Sequence, residues 1–312
     1  MQVRRNDFDV TNRVQTTDPI AVQHEINRLF RLLYPGAAHS AMDKAFADIV
    51  MLYTGTYPGY FACDTSYHDL QHIMDVTLAM SRLMDGYERS RRDTEALGVR
   101  LFQLGIVAAL FHDMGYLRQT SDSSVRNGAV YTINHVSRGA AFMLTYLPKI
   151  GMADYAVAGA ELLHFTGFEK RVGDILIQEP LLRLLGSLLG SSDIVAQLSD
   201  RCYLEKCRDR LYGEFVTAGI AVKKTENGEE VIFKSGDDLV IKTPAFFETA
   251  VNRLEYDLGG AHNYVTTHFG GFNLYLQAAN KNIHFAKQMG MDSQVSLQRK
   301  PPETLAKPDI LQ

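Results

Sequence analysis

The spacing of apolar residues along the chain predicts a protein built mainly from helices. Apolar positions recur every three or four residues through most of the sequence, which is the period of an amphipathic helix. The predicted helices cover residues 18–33, 41–53, 67–84, 94–111, 133–148, 153–165, 179–188, 190–212, 244–258 and 272–289. The expected fold class is therefore all-α.

One stretch departs from this helical period. Residues 219–234 contain two β-prone runs on either side of Asn227-Gly228, a dipeptide typical of a tight hairpin turn. Leu239 to Lys242 is a further candidate strand. We therefore expect a small β-hairpin insertion over residues 219–242. Because the hairpin offers a free edge to a second copy of the chain, a homodimer is one expected arrangement.

The two ends of the chain differ from the rest in composition. Residues 1–18 are mostly polar and predict a flexible N-terminal arm, and residues 293–312 form a polar tail that contains proline. No internal repeat or clear linker interrupts residues 19–292. This stretch is predicted to be a single helical domain.

Composition and charge narrow the range of partners. The chain has 312 residues, of which 46% are hydrophobic, enough for a sizeable core. Its net charge of −4 provides no basic surface for duplex nucleic acid. No membrane partner is expected either, because the longest apolar run, Leu101 to Phe111, is too short to span a bilayer. The N-terminus lacks the apolar segment of a signal peptide, and the few cysteines suit a reducing compartment, so we expect a cytoplasmic protein.

Six residues in or beside apolar helical segments are candidate metal ligands. A buried histidine or aspartate is costly unless something satisfies it, and imidazoles and carboxylates bind divalent cations. These residues are His72, His112, Asp113, His135, His164 and Asp193. Since Asp113 has two carboxylate oxygens, it can bridge two ions. The sequence predicts a metal core within residues 60–200 that holds two divalent cations of Mn, Mg, Zn or Fe.

A seventh residue, His68, is the candidate catalytic group. It precedes His72 by four residues, so on the helix predicted over residues 67–84 both side chains point the same way. His68 can then lie beside the cations without binding them. An imidazole, whose pKa is near neutral, suits the protonation of a leaving group.

The ordered set H…HD…H…H…D resembles the HD-domain superfamily of metal-dependent phosphohydrolases over roughly residues 60–200. The segment from Tyr67 to Val76, YHDLQHIMDV, is similar to the YHNxxHxxDV signature of class I 3′,5′-cyclic-nucleotide phosphodiesterases, with Asp69 in place of the asparagine. The resemblance implies an HD-type helical bundle. It also implies that the substrate is a cyclic nucleotide or a related nucleotide phosphodiester.

The same resemblance assigns roles to individual residues. His68 corresponds to the general acid of the phosphodiesterases, and Asp113 to the carboxylate that bridges the two metals. The implied ligands of the first metal are His72, His112, Asp113 and Asp193.

The chain also departs from the phosphodiesterase pattern. Tyr116 stands where that family has a second histidine after the HD pair. His135 and His164 occupy places where bacterial HD hydrolases with several metals carry additional histidine ligands. No GYP motif follows His112-Asp113, so the chain does not fit the HD-GYP group.

Two other functions remain open at this point. The same six ligand types hold two irons in HD-fold di-iron oxygenases, and ligand type alone does not fix the metal. A binding or sensory module that keeps a metal for structure is the second alternative. The YHDLQH segment favours hydrolysis, since an oxygenase does not need an acid for a leaving group.

Four residues are candidates for substrate binding: Arg138, Tyr116, His268 and Gln277. Arg138 follows His135 by three residues and is suited to neutralising a phosphate, although an ordinary surface arginine fits the pattern equally well. His268 belongs to a glycine-rich segment that allows close approach to a ligand. Gln277 is a candidate amide for a purine, with an exposed helix residue as the alternative.

Overall fold

The computed structural model describes residues 3–225, 228–292 and 294–303. Helices dominate these residues, which confirms the predicted all-α class. The helices are α1 Pro19–Leu33, α2 Ser40–Thr54, α3 Leu70–Ser90, α4 Gly98–Phe111, α5 His135–Tyr146, α6 Ala156–Leu163, α7 Pro180–Ser199, α8 Tyr203–Lys206, α9 Tyr212–Thr217, α10 Gly236–Asn252, α11 Val265–His268 and α12 Leu274–Met291. Two π-helical segments, Cys207–Leu211 and Arg253–Asp257, join α8 to α9 and extend α10.

Helix α3 lies at the centre of the fold. It packs against α1, α4, α7 and α11, and almost all of its residues are buried. Its first turn is fixed by Asp69, whose side chain accepts a hydrogen bond from the amide of His72 at 3.0 Å. An aspartate at this position satisfies one of the unpaired amides that begin a helix. The cap therefore sets where His72 enters the core.

The predicted hairpin is confirmed, but the predicted third strand is wrong. Strands β1, Val222–Thr225, and β2, Gly228–Val231, pair antiparallel, with Val222 opposite Val231. Asn227, on which the turn was predicted, lies outside the described residues. Leu239 to Lys242 belong to α10, because Ser235 caps this helix by accepting a hydrogen bond from the amide of Asp238 at 3.2 Å.

Helix α7 is continuous, whereas the sequence predicts two helices, over residues 179–188 and 190–212. Its glycines serve close packing and do not break the helix. A Cβ atom at Gly190 would lie 2.5 Å from the carbonyl oxygen of Phe165, and one at Gly186 would lie 2.5 Å from the Phe165 ring. The helix ends at Ser199, and the chain continues through α8 and the π-helical segment.

Both ends of the described chain pack against the helical body. Phe8 and Val14 are buried, and Asp9 lies 2.6 Å from the guanidinium of Arg82 on α3. At the other end, the carbonyl oxygen of Lys300 accepts a hydrogen bond from Asn6 at 2.9 Å. The residues predicted to be a flexible arm are thus held by a buried ion pair, which the local sequence does not reveal.

Within the described residues, one helix is long and apolar enough to cross a membrane, namely α7. Of its most apolar window, 72% is buried inside the fold. The three cysteines are free thiols and are buried.

Candidate metal centre

Four of the predicted ligands converge from three helices. His72 lies in the first turn of α3, His112 and Asp113 follow the end of α4, and Asp193 lies within α7. The Nε2 atom of His72 is 3.4 Å from Nε2 of His112 and 3.3 Å from Oδ2 of Asp113. These three residues form a buried group that can hold a metal ion.

The donor spacing fits a divalent cation. The three separations within this group are 3.2 to 3.4 Å. Ligands about 2.0–2.2 Å from one ion lie roughly 3.0–3.6 Å apart in octahedral or tetrahedral geometry. The Nδ1 atom of His112 lies 2.8 Å from the carbonyl oxygen of Ala109, so that nitrogen carries a proton and Nε2 is the atom that remains to bind a metal. Asp193 adds a further oxygen, 3.5 Å from Nε2 of His72.

A second, smaller grouping uses the other oxygen of Asp113. The Nε2 atom of His135 lies 3.5 Å from Oδ1 of Asp113, while its Nδ1 atom lies 2.8 Å from the carbonyl oxygen of Thr132. Main-chain contact fixes this pair, since a Cβ atom on Gly115 would lie 1.7 Å from the carbonyl oxygen of His135. Asp113 therefore faces nitrogen ligands through both of its oxygens.

His164 is not brought into this grouping by any contact among the described residues. It ends α6, where it is buried and its Nδ1 atom has no hydrogen-bond partner in the described part of the chain. Burial and the nearby charge of Lys170 lower its pKa, which favours the neutral ring. Its assignment as a ligand stays a prediction.

The close packing of the cluster perturbs its acid–base properties. Burial alone would lower the pKa of His112, but the charge of Asp113 and its hydrogen bond outweigh this and raise the pKa to about 9. Burial alone would likewise raise the pKa of Asp113, but His112 and His72 hold it well below its usual range. These pKa shifts show that the buried group stabilises positive charge, which also favours the binding of a cation.

His68 lies beside the cluster, but not on α3 as predicted. It precedes the Asp69 cap, and its Nδ1 atom is 2.6 Å from Oε2 of Glu214 on α9. Its ring stacks on Tyr116 at a centroid distance of 4.3 Å, and Tyr116 in turn stacks on His135 at 4.4 Å. Stacking and the carboxylate together fix the orientation of the imidazole.

Glu214 is the functional residue that the sequence analysis missed. It is buried, and its second carboxylate oxygen accepts a hydrogen bond from the amide of Tyr67 at 2.5 Å. Burial would lower the pKa of His68, but the charge and hydrogen bond of Glu214 raise it above the usual value. No local pattern marks this partner, because 146 residues separate it from His68. The only sequence signal is an acidic residue inside an otherwise helical, apolar-patterned stretch.

The cluster opens into a cavity of about 640 Å³. Its lining includes His68, His72, Asp113 and Asp193, together with Tyr116 and His135. Apolar side chains from the second half of the chain also line it: Leu211 at the end of a π-helical segment, and others on α9, at the base of the hairpin and on α10. We call this group the apolar wall, defined by Leu211, Phe215, Ile220, Phe233, Leu239 and Phe246.

Of the four predicted substrate-binding residues, Tyr116 lines this cavity and the other three do not. Arg138 donates hydrogen bonds to the carbonyl oxygens of Gly115 and Leu117, at 2.9 and 3.2 Å. His268 lies 2.6 Å from Asp85 on the other side of α3. Gln277 is exposed on α12. Arg138 and His268 are therefore engaged in holding the fold.

No family model, curated protein or solved structure matches this chain.

Proposed function

We propose that the protein is a metal-dependent phosphohydrolase in which His68 is the general acid. One observation carries the proposal: an imidazole held by a buried carboxylate stands next to a cluster of metal-binding side chains and is not part of that cluster. A site for metal storage or structure does not need such a group. Cleavage of a phosphoester does need it, because the departing alkoxide must receive a proton.

Four side chains would hold the first cation, namely His72, His112, Asp113 and Asp193. The second oxygen of Asp113, together with His135, would contribute to a second cation. When bound, the cations supply positive charge for the phosphoryl oxygens and lower the pKa of water. Binding is expected to release the proton that the cluster otherwise holds.

The contacts of His68 define which atom gives the proton. Its Nδ1 atom is engaged with Glu214, so Nε2 is the nitrogen that remains for the substrate. Because Glu214 raises the pKa of His68, it favours the protonated ring from which the proton is donated. After donation, the Glu214 carboxylate still holds Nδ1–H and keeps the ring in place for the next cycle.

Tyr116 and Glu214 act on the reaction through position. Tyr116 fills the space between His68 and His135 with its ring and is 2% exposed, so water has no room between these two imidazoles. Glu214 ties His68 to the backbone of Tyr67. A fixed acid is more effective than a mobile one, since reorientation does not have to precede proton transfer.

The test compares activity and metal content in matched variants. Protein loaded with Mn²⁺ or Mg²⁺ is assayed with bis(p-nitrophenyl) phosphate and with the cyclic nucleotides that the family resemblance implies. His68→Ala should keep its metal, measured by plasma mass spectrometry, and lose about 10²–10⁴-fold in turnover of the cyclic nucleotides, whose leaving alkoxide needs a proton. Turnover of bis(p-nitrophenyl) phosphate should fall less, because p-nitrophenolate is a weak base that leaves without a proton. His284→Ala, which changes an exposed histidine on α12, serves as the control and should keep both its metal content and its turnover.

Three results would overturn the proposal. Iron-dependent consumption of O₂ together with inertness toward phosphoesters would identify an oxygenase. Tight metal binding with no turnover of any phosphoester would indicate a binding or sensory module. Loss of metal in His68→Ala would reassign His68 as a ligand.

A further inference from the structure

The cavity is lined by two kinds of surface. Beside the polar residues of the metal-binding cluster, it is bounded by the apolar wall, in which aromatic rings from α9 and from the base of the hairpin meet. Phe215 and Phe233 stack there with ring centroids 5.7 Å apart. Both rings are partly accessible, so they present surface to the cavity.

The base of the hairpin is fixed in place. The carbonyl oxygen of Ala221 accepts hydrogen bonds from the amides of Ile232 and Phe233, at 2.9 and 3.1 Å. The hydroxyl of Tyr212 donates to the carbonyl oxygen of Lys234 at 3.1 Å. The hairpin strands themselves extend outward and are exposed, while their base carries Ile220 and Phe233 to the cavity. The wall is therefore preformed.

Polar groups on this side of the cavity are already engaged within the protein. The ammonium group of Lys242 lies 2.7 Å from the carbonyl oxygen of Ile232 and 2.9 Å from Asp238. The hydroxyl of Thr243 donates to the carbonyl oxygen of Leu239 at 3.1 Å. A nucleobase or sugar placed against these two side chains would lose hydration without gaining equivalent hydrogen bonds from them, which is costly.

Apolar surface continues to the cavity mouth. Ile133 and Phe168 line the cavity and are 69% and 74% exposed, while Phe246, on α10, is 39% exposed. Large exposed apolar side chains that border a cavity mark a place where apolar surface is buried on binding. Both the mouth and the apolar wall therefore favour a ligand with an apolar part.

We infer that the substrate is a phosphoester of an apolar alcohol, with an alkyl or prenyl group lying along the apolar wall and the phosphate at the cluster. The inference rests on the proposed function, because it assigns the phosphate to the metal-binding residues of the same cavity. Burying the chain is favourable in proportion to the apolar area removed from water. The alternative, which the sequence resemblance implies, is that the substrate is a nucleotide.

The experiment measures binding by calorimetry to the Mn²⁺-loaded full-length protein. The probes are methyl-, butyl- and octylphosphonate, which share one head group. Affinity should rise about threefold to fourfold for each methylene that the wall buries, a factor that follows from the transfer free energy of a methylene. Adenosine and guanosine 3′,5′-cyclic monophosphates are measured alongside and should bind more weakly than octylphosphonate.

Variants of the apolar wall test whether these residues cause the dependence of affinity on chain length. Phe233→Gln and Phe246→Gln should flatten the dependence on chain length and leave the affinity for methylphosphonate in place. Phe246 is partly exposed, so its replacement remains informative if Phe233→Gln does not fold. Phe272→Gln changes an aromatic residue that is 61% exposed and does not line the cavity, and should keep the full dependence.

An affinity that is independent of chain length, or a cyclic nucleotide that binds more tightly than octylphosphonate, would overturn the inference. These results are separable from failure of the proposed function. Metal-dependent turnover of bis(p-nitrophenyl) phosphate would uphold hydrolysis even if chain length had no effect. Conversely, binding that depends on chain length without any turnover would uphold the apolar site alone.

Discussion

The metal-binding residues and the apolar wall line the same cavity, but they are held in place by different kinds of contact. At the metal centre, polar side chains are held by further polar contacts: Ala109 orients His112, Thr132 orients His135, and Glu214 orients His68. At the apolar wall, the polar groups bond to the protein itself and leave hydrocarbon facing the cavity. The imidazoles of the metal centre are therefore held in a defined orientation, whereas the apolar wall defines only the shape of the cavity.

This difference separates the two tasks of the site. Directional contacts are lost with small changes in chemistry, even when volume is conserved. Apolar contacts depend on area and tolerate exchange between side chains of similar size. Conservative substitutions should therefore reduce activity strongly when they change the metal-binding residues, and weakly when they change the apolar wall.

The largest effect is expected for Asp113→Asn. The substitution keeps the size of the side chain but removes the charge that both groups of nitrogen ligands face, so metal binding and turnover should fall to background. Metal content and hydrolysis of bis(p-nitrophenyl) phosphate measure this. Asp174→Asn, at an exposed ion pair, is the control, and an Asp113→Asn enzyme with its metal intact would contradict the proposed centre.

A smaller effect is expected for Glu214→Gln. The amide still fills the site but cannot stabilise the imidazolium, so turnover should fall about tenfold to a hundredfold, less than the about 10²–10⁴-fold that a general acid contributes. The raised pKa of His68 should also be lost. Since activity requires protonated His68, the decline of kcat at high pH should begin at a lower pH than in the wild type.

The pH profile separates this role from a purely structural one. Glu248→Gln, on the exposed side of α10, should leave both the rate and the profile unchanged. A Glu214→Gln enzyme that is slower but has an unchanged basic limb would show that Glu214 only supports the fold.

A third test uses a polar contact outside the cavity. Burial would raise the pKa of Asp9, but Arg82 and several hydrogen bonds lower it from 3.8 to about 2, which corresponds to about 2 kcal/mol of stability. This contribution is complete above about pH 4 and is lost as the pH falls toward about 2.

Asp9→Asn should therefore lower the free energy of unfolding at neutral pH by about 2 kcal/mol or more, because it leaves Arg82 buried without its ion-pair partner. The deficit should shrink on acidification. Urea denaturation at neutral and acidic pH measures it, with Asp93→Asn at an exposed position as control. Unchanged stability at neutral pH would show that the N-terminal segment is not held by this pair.

The smallest effect is expected for Lys242→Met. Its side chain is 47% exposed and its ammonium pairs with Asp238, so the loss of stability should be below about 1 kcal/mol. Affinity for methylphosphonate should not change. A large loss of affinity would mean that this ammonium binds phosphate, and the contrast between the metal-binding residues and the apolar wall would then be wrong.

What the sequence predicted well is what depends on local pattern. The positions of His72, His112, Asp113 and Asp193 followed from residues next to helical segments, and the structure brings these four together. Asn227-Gly228 predicted the hairpin for the same reason.

What the sequence predicted poorly depends on contacts between distant segments. The pairing of Glu214 with His68 and that of Asp9 with Arg82 each join residues far apart in the chain. The continuity of α7 through Gly190 depends on the approach of Phe165. The capping of α10 by Ser235 overrode the β-prone run at Leu239 to Lys242, because α10 buries Leu239 and Val240 in the core.

The glycine at position 115 has a consequence for engineering. Because the turn after Asp113 touches the main chain of His135 directly, the gap between these two ligands is set by the backbone and not by exchangeable side chains. Substitutions at neighbouring positions are therefore expected to change that gap little. A new metal preference would have to come from replacing a ligand, for example a histidine by a carboxylate, within an unaltered frame.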